Sequence, residues 1–522
     1  MASKHPHHPI IYVRGFAATQ NEIEETVADP YMGFNIGSTK IRTAWDGKVK
    51  RYYFESPLVR LMNEHHYNDV YIDGEDILAT QTSKHPIPYQ SIIIYRYYDE
   101  ASKDFGAGET PPIEHFAKGL SNLVKALQEK VCSNPDNDVS EDEFRVYLVA
   151  HSMGGLICRA FLQNPAHDPK NVRHLVDKVF TYATPHNGID MRIVRNVPGW
   201  LSFGDANNFN RERMAGYLGL AQSDDVSVVE NFPVERIFNL VGTNPRDYTV
   251  AAGVSAWAAG AASDGLVRIE NATTHAKDHN GNDIGSPRAF VYRSHSGHYG
   301  IVNSEEGYQN LTRFLFGTLR VDGILDINEI SLPDKVQKKK EEGKTIRASY
   351  QFEVSVSVRG CQWQLTRREV RENSAMFRTY DEMFPKGVDR NRQTDRSKSP
   401  HLFSVFLDPT KSMEETGSVC FAFDLKVLVP DYEVDGRIFM DQHFEGGYIL
   451  RKFVLIKAVP DTACQSGWKI FYDYQDNNPG EAGVEVTDIE NVGSGMTFSI
   501  PLKQEATPGF DGNLRILIKP WS

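Results

Sequence analysis

Over roughly the first 325 residues, short apolar runs alternate with stretches of helical periodicity, and this alternation constrains the fold more than any other feature. The runs are PIIYVRGF (Pro9 to Phe16), SIIIYRYYD (Ser91 to Asp99), FRVYLVA, KVFTYAT, RIFNLVG and AFVYRS. Continuous apolar runs of this length read as strands buried on both faces. Between the second and third lies PPIEHFAKGLSNLVKALQEKV, with Pro at its entry, Glu in its first turn and Lys near its end. Its apolar residues Phe116, Leu120, Leu123, Val124 and Leu127 recur three or four apart, which predicts an amphipathic helix. MGGLICRAFLQ and EEGYQNLTRFLFGTL continue the alternation as helices. Strands alternating with helices imply an α/β domain over residues 1–325, built on a mostly parallel sheet flanked by helices.

The texture then changes. LPDKVQKKKEEGKTIR is a dense charge run, read as a solvated linker or connecting helix over 326–345. From 346 to 522 the runs SYQFEVSVSV, HLFSVFL, VCFAFDLKVLV, YILRKFVLIKAV, KIFYDY, MTFSIPL and LRILIKP alternate with period two and have no helices between them. They predict an all-β sandwich of about seven or eight antiparallel strands.

A net charge of −12 excludes a general electrostatic attraction to nucleic acid or to anionic lipid. The first residues, MASKHPHHPIIYV, lack a secretory h-region, and no window approaches a membrane-spanning length. The expectation is therefore a soluble, cytoplasmic chain without a transmembrane segment. Five cysteines at scattered spacings, with no C-x-x-C, fit buried thiols in a reducing compartment. His5, His7 and His8 in KHPHHP are read as a flexible terminus, because Pro breaks the spacing and no Cys or carboxylate accompanies them. No metal and no cofactor is expected.

The pattern small-x-Ser-x-Gly occurs twice, as AHSMG around Ser152 and as AASDG around Ser263. Only the first sits where a buried strand must turn into a helix, with Ala150, Gly154 and Gly155 supplying the small side chains that a tight turn needs. Ser152 is thus the candidate nucleophile, a helix cap being the plainer alternative. A serine hydroxyl needs a base, and the base needs an acid to hold its tautomer. Asp264 follows the strand RIFNLVG, and His295 and His298 follow the last apolar strand, so the order is Ser, acid, His.

VAHSMGGLICR, YATPHNG, SDGLV and GHYGIVNS resemble the corresponding segments of α/β-hydrolase lipases and related serine esterases, over roughly the first 325 residues. The resemblance implies Ser152, Asp264 and His298 as the triad, His298 preceding a Val-Asn as in that family, with His295 as the alternative base; Asp247 in NPRDYT is the runner-up acid because it lies nearer the end of its strand. It implies an oxyanion hole from the backbone N–H groups of Met153 and Phe16. Arg14-Gly15 stands where the family has His-Gly, and Ala150 where it has Gly. The role of Arg14 is open between a structural salt bridge and a contact to an anionic headgroup. His186 in TPHNG is given a structural, pocket-lining role. The insertion near 190–235, with Trp200, Phe203, Phe209, Tyr217 and Leu220, corresponds either to a lid over an apolar acyl pocket or to a packed cap.

The function so implied is a serine carboxylester hydrolase acting on a lipid-like ester: a lipase, phospholipase or esterase. The alternative is a catalytically impaired hydrolase-fold protein that acts as an interaction module through its β-sandwich. That sandwich is also a candidate for contact with a lipid surface.

Overall fold

The computed structural model describes residues 7–15, 20–35, 38–43, 45–47, 49–54, 56–72, 75–76, 87–104, 106–108, 110–189, 207–247, 262–297, 300–384, 396, 399–409, 417–434, 442–464, 467–474 and 483–522. The chain divides into two compact units, Met1–Leu315 and Phe316–Ser522.

The first unit is built on seven strands: β1 (Ile10–Val13), β2 (Asn68–Asp69), β3 (Ser91–Ile94), β4 (Val146–His151), β5 (Val176–Tyr182), β6 (Ile237–Gly242) and β7 (Arg288–Val291). Their order across the sheet is β7-β6-β5-β4-β1-β3-β2, and every pairing is parallel. All four residues of β1 are buried, as a central parallel strand covered on both faces requires. Among the described residues the helices are α1 (Gln20–Ala28), α2 (Pro57–His65), α3 (Ile113–Cys132), α4 (Met153–Gln163), α5 (Arg211–Leu218) and α6 (Glu305–Phe316). In α3 the buried residues include Phe116, Leu120, Val124 and Leu127, the stripe expected from their spacing. Every residue of α4 is buried, including Arg159, so this helix is packed on all sides rather than on one stripe.

Two features of this unit were not legible beforehand. Helix α2 starts after Ser56, whose Oγ accepts from the Leu58 N–H at 3.1 Å, with Pro57 at the first helical position. The two-residue edge strand β2 is too short to carry a periodicity. The histidine-rich terminus also differs from expectation at its described end. His8 is buried, its Nδ1 lies 2.5 Å from the Tyr89 hydroxyl, and its carbonyl accepts from Tyr67 at 2.8 Å. Packing against the Tyr147 ring, 4.8 Å away, makes His8 the lead-in to β1 rather than part of a loose tail.

The second unit is antiparallel throughout its two main sheets. One contains β8 (Leu319–Ser331), β12 (His401–Leu407), β16 (Gly495–Gln504) and β17 (Gly509–Pro520), in the order β12-β8-β17-β16, with Glu490–Val492 at its edge. The other is built around β9 (Ile346–Val358), β13 (Val419–Val434), β14 (Gln442–Pro460) and β15 (Trp468–Tyr474), with β10 (Gln364–Arg368) and β11 (Met376–Thr379) both paired to β9. Their inward residues, among them Leu325, Phe352, Phe403, Phe423, Leu425, Val454, Ile500 and Ile516, form one core. This is the β-sandwich expected from the period-two runs. The boundary at 325 and the solvated linker 326–345 are displaced, because β8 already belongs to the sandwich and α7 (Asp334–Glu341) follows it. Of the two forms expected for the charge run, linker or connecting helix, the helix is present, and its composition resembles a linker's because α7 buries only Val336 and exposes Lys335 and Lys338.

Phe423, wholly buried in the sandwich core, is expected to cost about 3–5 kcal/mol when replaced by Ala. A urea titration followed by tryptophan fluorescence should show a lower midpoint for the unfolding of the second unit in Phe423→Ala.

Candidate active site

Strand β4 ends at His151 and helix α4 begins at Met153, leaving one residue in which to reverse direction. That residue, Ser152, has φ 52 and ψ −124, a conformation that a non-glycine residue rarely adopts. The backbone is held there by the Ser152 N–H donating to the Tyr182 carbonyl on β5 at 2.9 Å. The turn also requires small neighbours. A Cβ on Gly154 would stand 2.3 Å from the Val13 carbonyl oxygen, one on Gly155 2.2 Å from Thr184 Oγ1, and one on Gly15 2.7 Å from Ser152 Cβ. Ser152 makes no side-chain cap to α4, so the plain helix-cap reading fails.

The Ser152 hydroxyl lies 2.9 Å from Nε2 of His295, and Nδ1 of His295 lies 2.9 Å from Oδ2 of Asp264. All three residues are buried. The carboxylate sets the tautomer: Nδ1–H donates to Asp264, leaving Nε2 to accept from the serine. Asp264 is itself fixed, since its Oδ1 accepts from the N–H groups of Leu266 at 3.0 Å and Val267 at 2.7 Å. Its carbonyl accepts from the His295 N–H at 2.9 Å, tying acid and imidazole together through the backbone as well. The loop after β7 is anchored further back by the part-buried ion pair Arg293–Glu306 at 2.9 Å.

His295, the alternative base in the sequence reading, thus occupies the bridging position, while the favoured His298 lies outside the described residues. The preference for His298 rested on the Val-Asn that follows it, a pattern that says nothing about which of two imidazoles three residues apart reaches the serine. Asp247 is exposed on its loop and accepts from Asn244 Nδ2 at 2.7 Å, away from His295. Met153 heads α4, so its N–H is one of the first-turn donors with no acceptor inside the helix. Phe16, the other expected oxyanion donor, lies outside the described residues, as do Trp200 and Phe203 of the insertion. The described part of that insertion is packed down: Phe209, Met214, Tyr217 and Leu218 are buried, and Arg213 pairs with Glu114 of α3 at 2.5 Å.

Three residues of the site were not singled out for the roles that they hold. His151 donates from Nε2 to the His295 carbonyl at 2.9 Å, and the two rings are 4.9 Å apart. Burial first, then the neighbouring His295 and Arg14, hold the His151 imidazole well below the usual histidine range, so it stays neutral. Tyr97 donates to the carbonyls of Arg14 at 2.8 Å and Gly15 at 3.2 Å, fixing the backbone that leaves β1. Arg159 donates to the carbonyls of His186, Val226 and Val228 at 2.9 Å each, lacing α4 to the loops after β5 and α5. The only sequence signals were adjacency to Ser152 for His151 and a charged residue in an otherwise apolar helix for Arg159.

His186 is wholly buried and sits by Thr181 Oγ1 at 3.2 Å and Asn239 Nδ2 at 3.1 Å, away from the serine. Burial, and next the Arg159 charge, push it well below the usual range.

Residues 112–199 match the family described as PGAP1-like alpha/beta domain. No curated protein matches the chain in sequence. Among solved structures, it is similar to the phospholipase PlaB of Legionella pneumophila in complex with thio-NAD, at 13% identity over 92% of this chain and 100% of that one, with a TM-score of 0.28. It is also similar to the Bacillus licheniformis lipase BlEst2, at 13% identity over 60% and 92% of the two chains, with a TM-score of 0.25. Lipase 1 from Pelosinus fermentans aligns at 12% identity over 56% and 92%, with a TM-score of 0.19. The parallel sheet and the sharp strand-to-helix turn at Ser152 define the fold of the first unit. The first unit has the α/β-hydrolase fold. Among the described residues, no helix is long and apolar enough to cross a membrane.

Because His151 and His186 are held neutral, the unfolded chain binds more protons than the folded one once pH drops below about 6.5. Stability contributed by these sites is fully present above that value and is lost as pH falls from it toward their depressed folded values. Thermal unfolding measured at pH 7.5 and 5.0 should show a lower midpoint at pH 5.0, and a smaller difference in His186→Gln.

Proposed function

We propose that this protein is a serine carboxylester hydrolase acting on a lipid-like ester. The carrying observation is the hydrogen-bonded chain from Ser152 Oγ through His295 to Asp264, with 2.9 Å at both links. In this reading Ser152 Oγ attacks the ester carbonyl carbon while its proton passes to His295 Nε2, and the Asp264 carboxylate stabilises the imidazolium. The Met153 N–H, at the positive end of α4, faces the developing oxyanion. Collapse of the tetrahedral intermediate breaks the C–O bond, and the leaving alcohol takes the proton from His295. Water, deprotonated by the same imidazole, then releases the acid from the acyl-serine.

A lipid-like substrate is supported by the PGAP1-like match and by the likeness to proteins named as lipases and a phospholipase. The buried, mutually satisfied Ser-His-Asp chain favours this reading over a vestigial fold serving only as an interaction module.

A fluorophosphonate probe should label the wild type and leave Ser152→Ala unlabelled; equal labelling of the two would remove the nucleophile assignment. On a panel of p-nitrophenyl esters of graded chain length, Asp264→Asn is expected to lower kcat about ten-thousandfold by freeing the wrong tautomer of His295. Asp247→Asn should stay within about twofold of the wild type, as befits an exposed surface substitution.

A further inference from the structure

Arg14 is the least expected residue near the nucleophile, and among the described residues it forms no ion pair. The pairing of β1 with β4 runs Ile10 with Tyr147 through Val13 with Ala150, so one further step sets Arg14 beside His151. Gly15 confirms that approach, since a Cβ there would lie 2.9 Å from His151 Nδ1 and 2.7 Å from Ser152 Cβ. The His151 ring is in turn 4.9 Å from that of His295. Arg14 therefore stands on the rim of the serine, on the face of the sheet that carries His151.

Its guanidinium is half-buried and donates through Nη1 to one main-chain carbonyl, that of Met32. No carboxylate pairs with it among the described residues. Arg96 provides the contrast within the same neighbourhood. It also donates to carbonyls of this turn, Val27 at 2.6 Å and Asp29 at 2.9 Å, but it is neutralised by a two-pronged contact with Asp99 at 2.9 Å on each arm. Asp29, in the same turn as Met32, spends its carboxylate on the N–H groups of Tyr31 and Gly33, at 2.9 Å each. With no carboxylate on it among the described residues, this half-buried cation, next to His151 in register, is an unbalanced charge. An anionic substrate group would balance it, and the planar fork of arginine suits a phosphodiester in particular.

We propose that Arg14 is a specificity residue that binds the phosphodiester of a glycerophospholipid whose acyl ester is presented to Ser152. The inference rests on the ester-hydrolase reading above and narrows its substrate class. In a glycerophospholipid only the short glycerol backbone separates the scissile carbonyl from the phosphorus, a span that one arginine side chain can bridge. Its free N–H groups would meet the non-bridging phosphate oxygens while the Met32 carbonyl keeps the guanidinium oriented. No bond to phosphorus changes; the group is held, and the acyl C–O bond is the one cleaved.

The test compares two monomeric substrates with identical hexanoyl chains, dihexanoyl phosphatidylglycerol and dihexanoylglycerol, on the full-length wild type, Arg14→Lys and Arg14→Gln. In Arg14→Gln, kcat/KM for the phospholipid should fall at least about tenfold more than for the diglyceride, as loss of a charge-assisted fork predicts, with Arg14→Lys between the two. Equal losses on both substrates, or no loss on either, would overturn the proposal. Should both variants fail to fold, the wild type still decides. The non-hydrolysable diether of glycerophosphoglycerol should inhibit diglyceride hydrolysis competitively, and at lower concentration than the matching diether glycerol; equal potency would overturn it. Failure of the underlying reading looks different: neither substrate would be cleaved and Ser152 would resist the fluorophosphonate.

Discussion

The first unit depends on the backbone of one residue. Ser152 is held at φ 52, at a cost of about 1–3 kcal/mol that only its surroundings can offset. Glycine would adopt this conformation without strain but would bring no hydroxyl. The offset comes from packing that leaves no other path: the carbonyls of Val13 and Arg14 press onto Gly154, Thr184 presses onto Gly155, and the Ser152 N–H is tied to Tyr182. Because those contacts come from β1, β5 and the loop after β5, the turn forms only when the three central strands are in register.

The same region concentrates buried polar groups, and their satisfaction explains its rigidity. Arg159 binds three carbonyls and Gln163 in the interior, where an unpaired guanidinium would be prohibitively costly. On β6, the Asn239 side-chain oxygen accepts from the Thr274 N–H at 2.8 Å and from Ser286 Oγ at 2.6 Å. These networks fasten the long excursions after β5 and β6 to the sheet. Asp264 and His295 are therefore delivered by segments that these bonds hold to the sheet.

The second unit follows a different logic. Its long strands need no special backbone; alternation sends Phe421, Phe423, Leu425 and Val427 of β13 inward, one after another. Such a pattern survives many substitutions, which is why it was readable from composition and period alone. Nearby, the charge run read as a linker or a connecting helix is the helix, of a kind that composition hardly separates from a linker. In α7 one apolar residue, Val336, is enough to dock a turn of lysines.

The sequence by itself determined the strand and helix alternation of roughly the first 325 residues, the period-two runs of the sandwich, and the candidacy of Ser152 and Asp264. Each of these is written in spacing, because local periodicity reflects which face a residue must bury. Only the tertiary structure decided that His295 bridges serine and acid, that Asp247 points elsewhere, and that Arg14 meets no carboxylate among the described residues. Those facts depend on how loops from β1, β4, β6 and β7 converge. Residues more than a hundred positions apart become neighbours through sheet order and register, which no local pattern encodes.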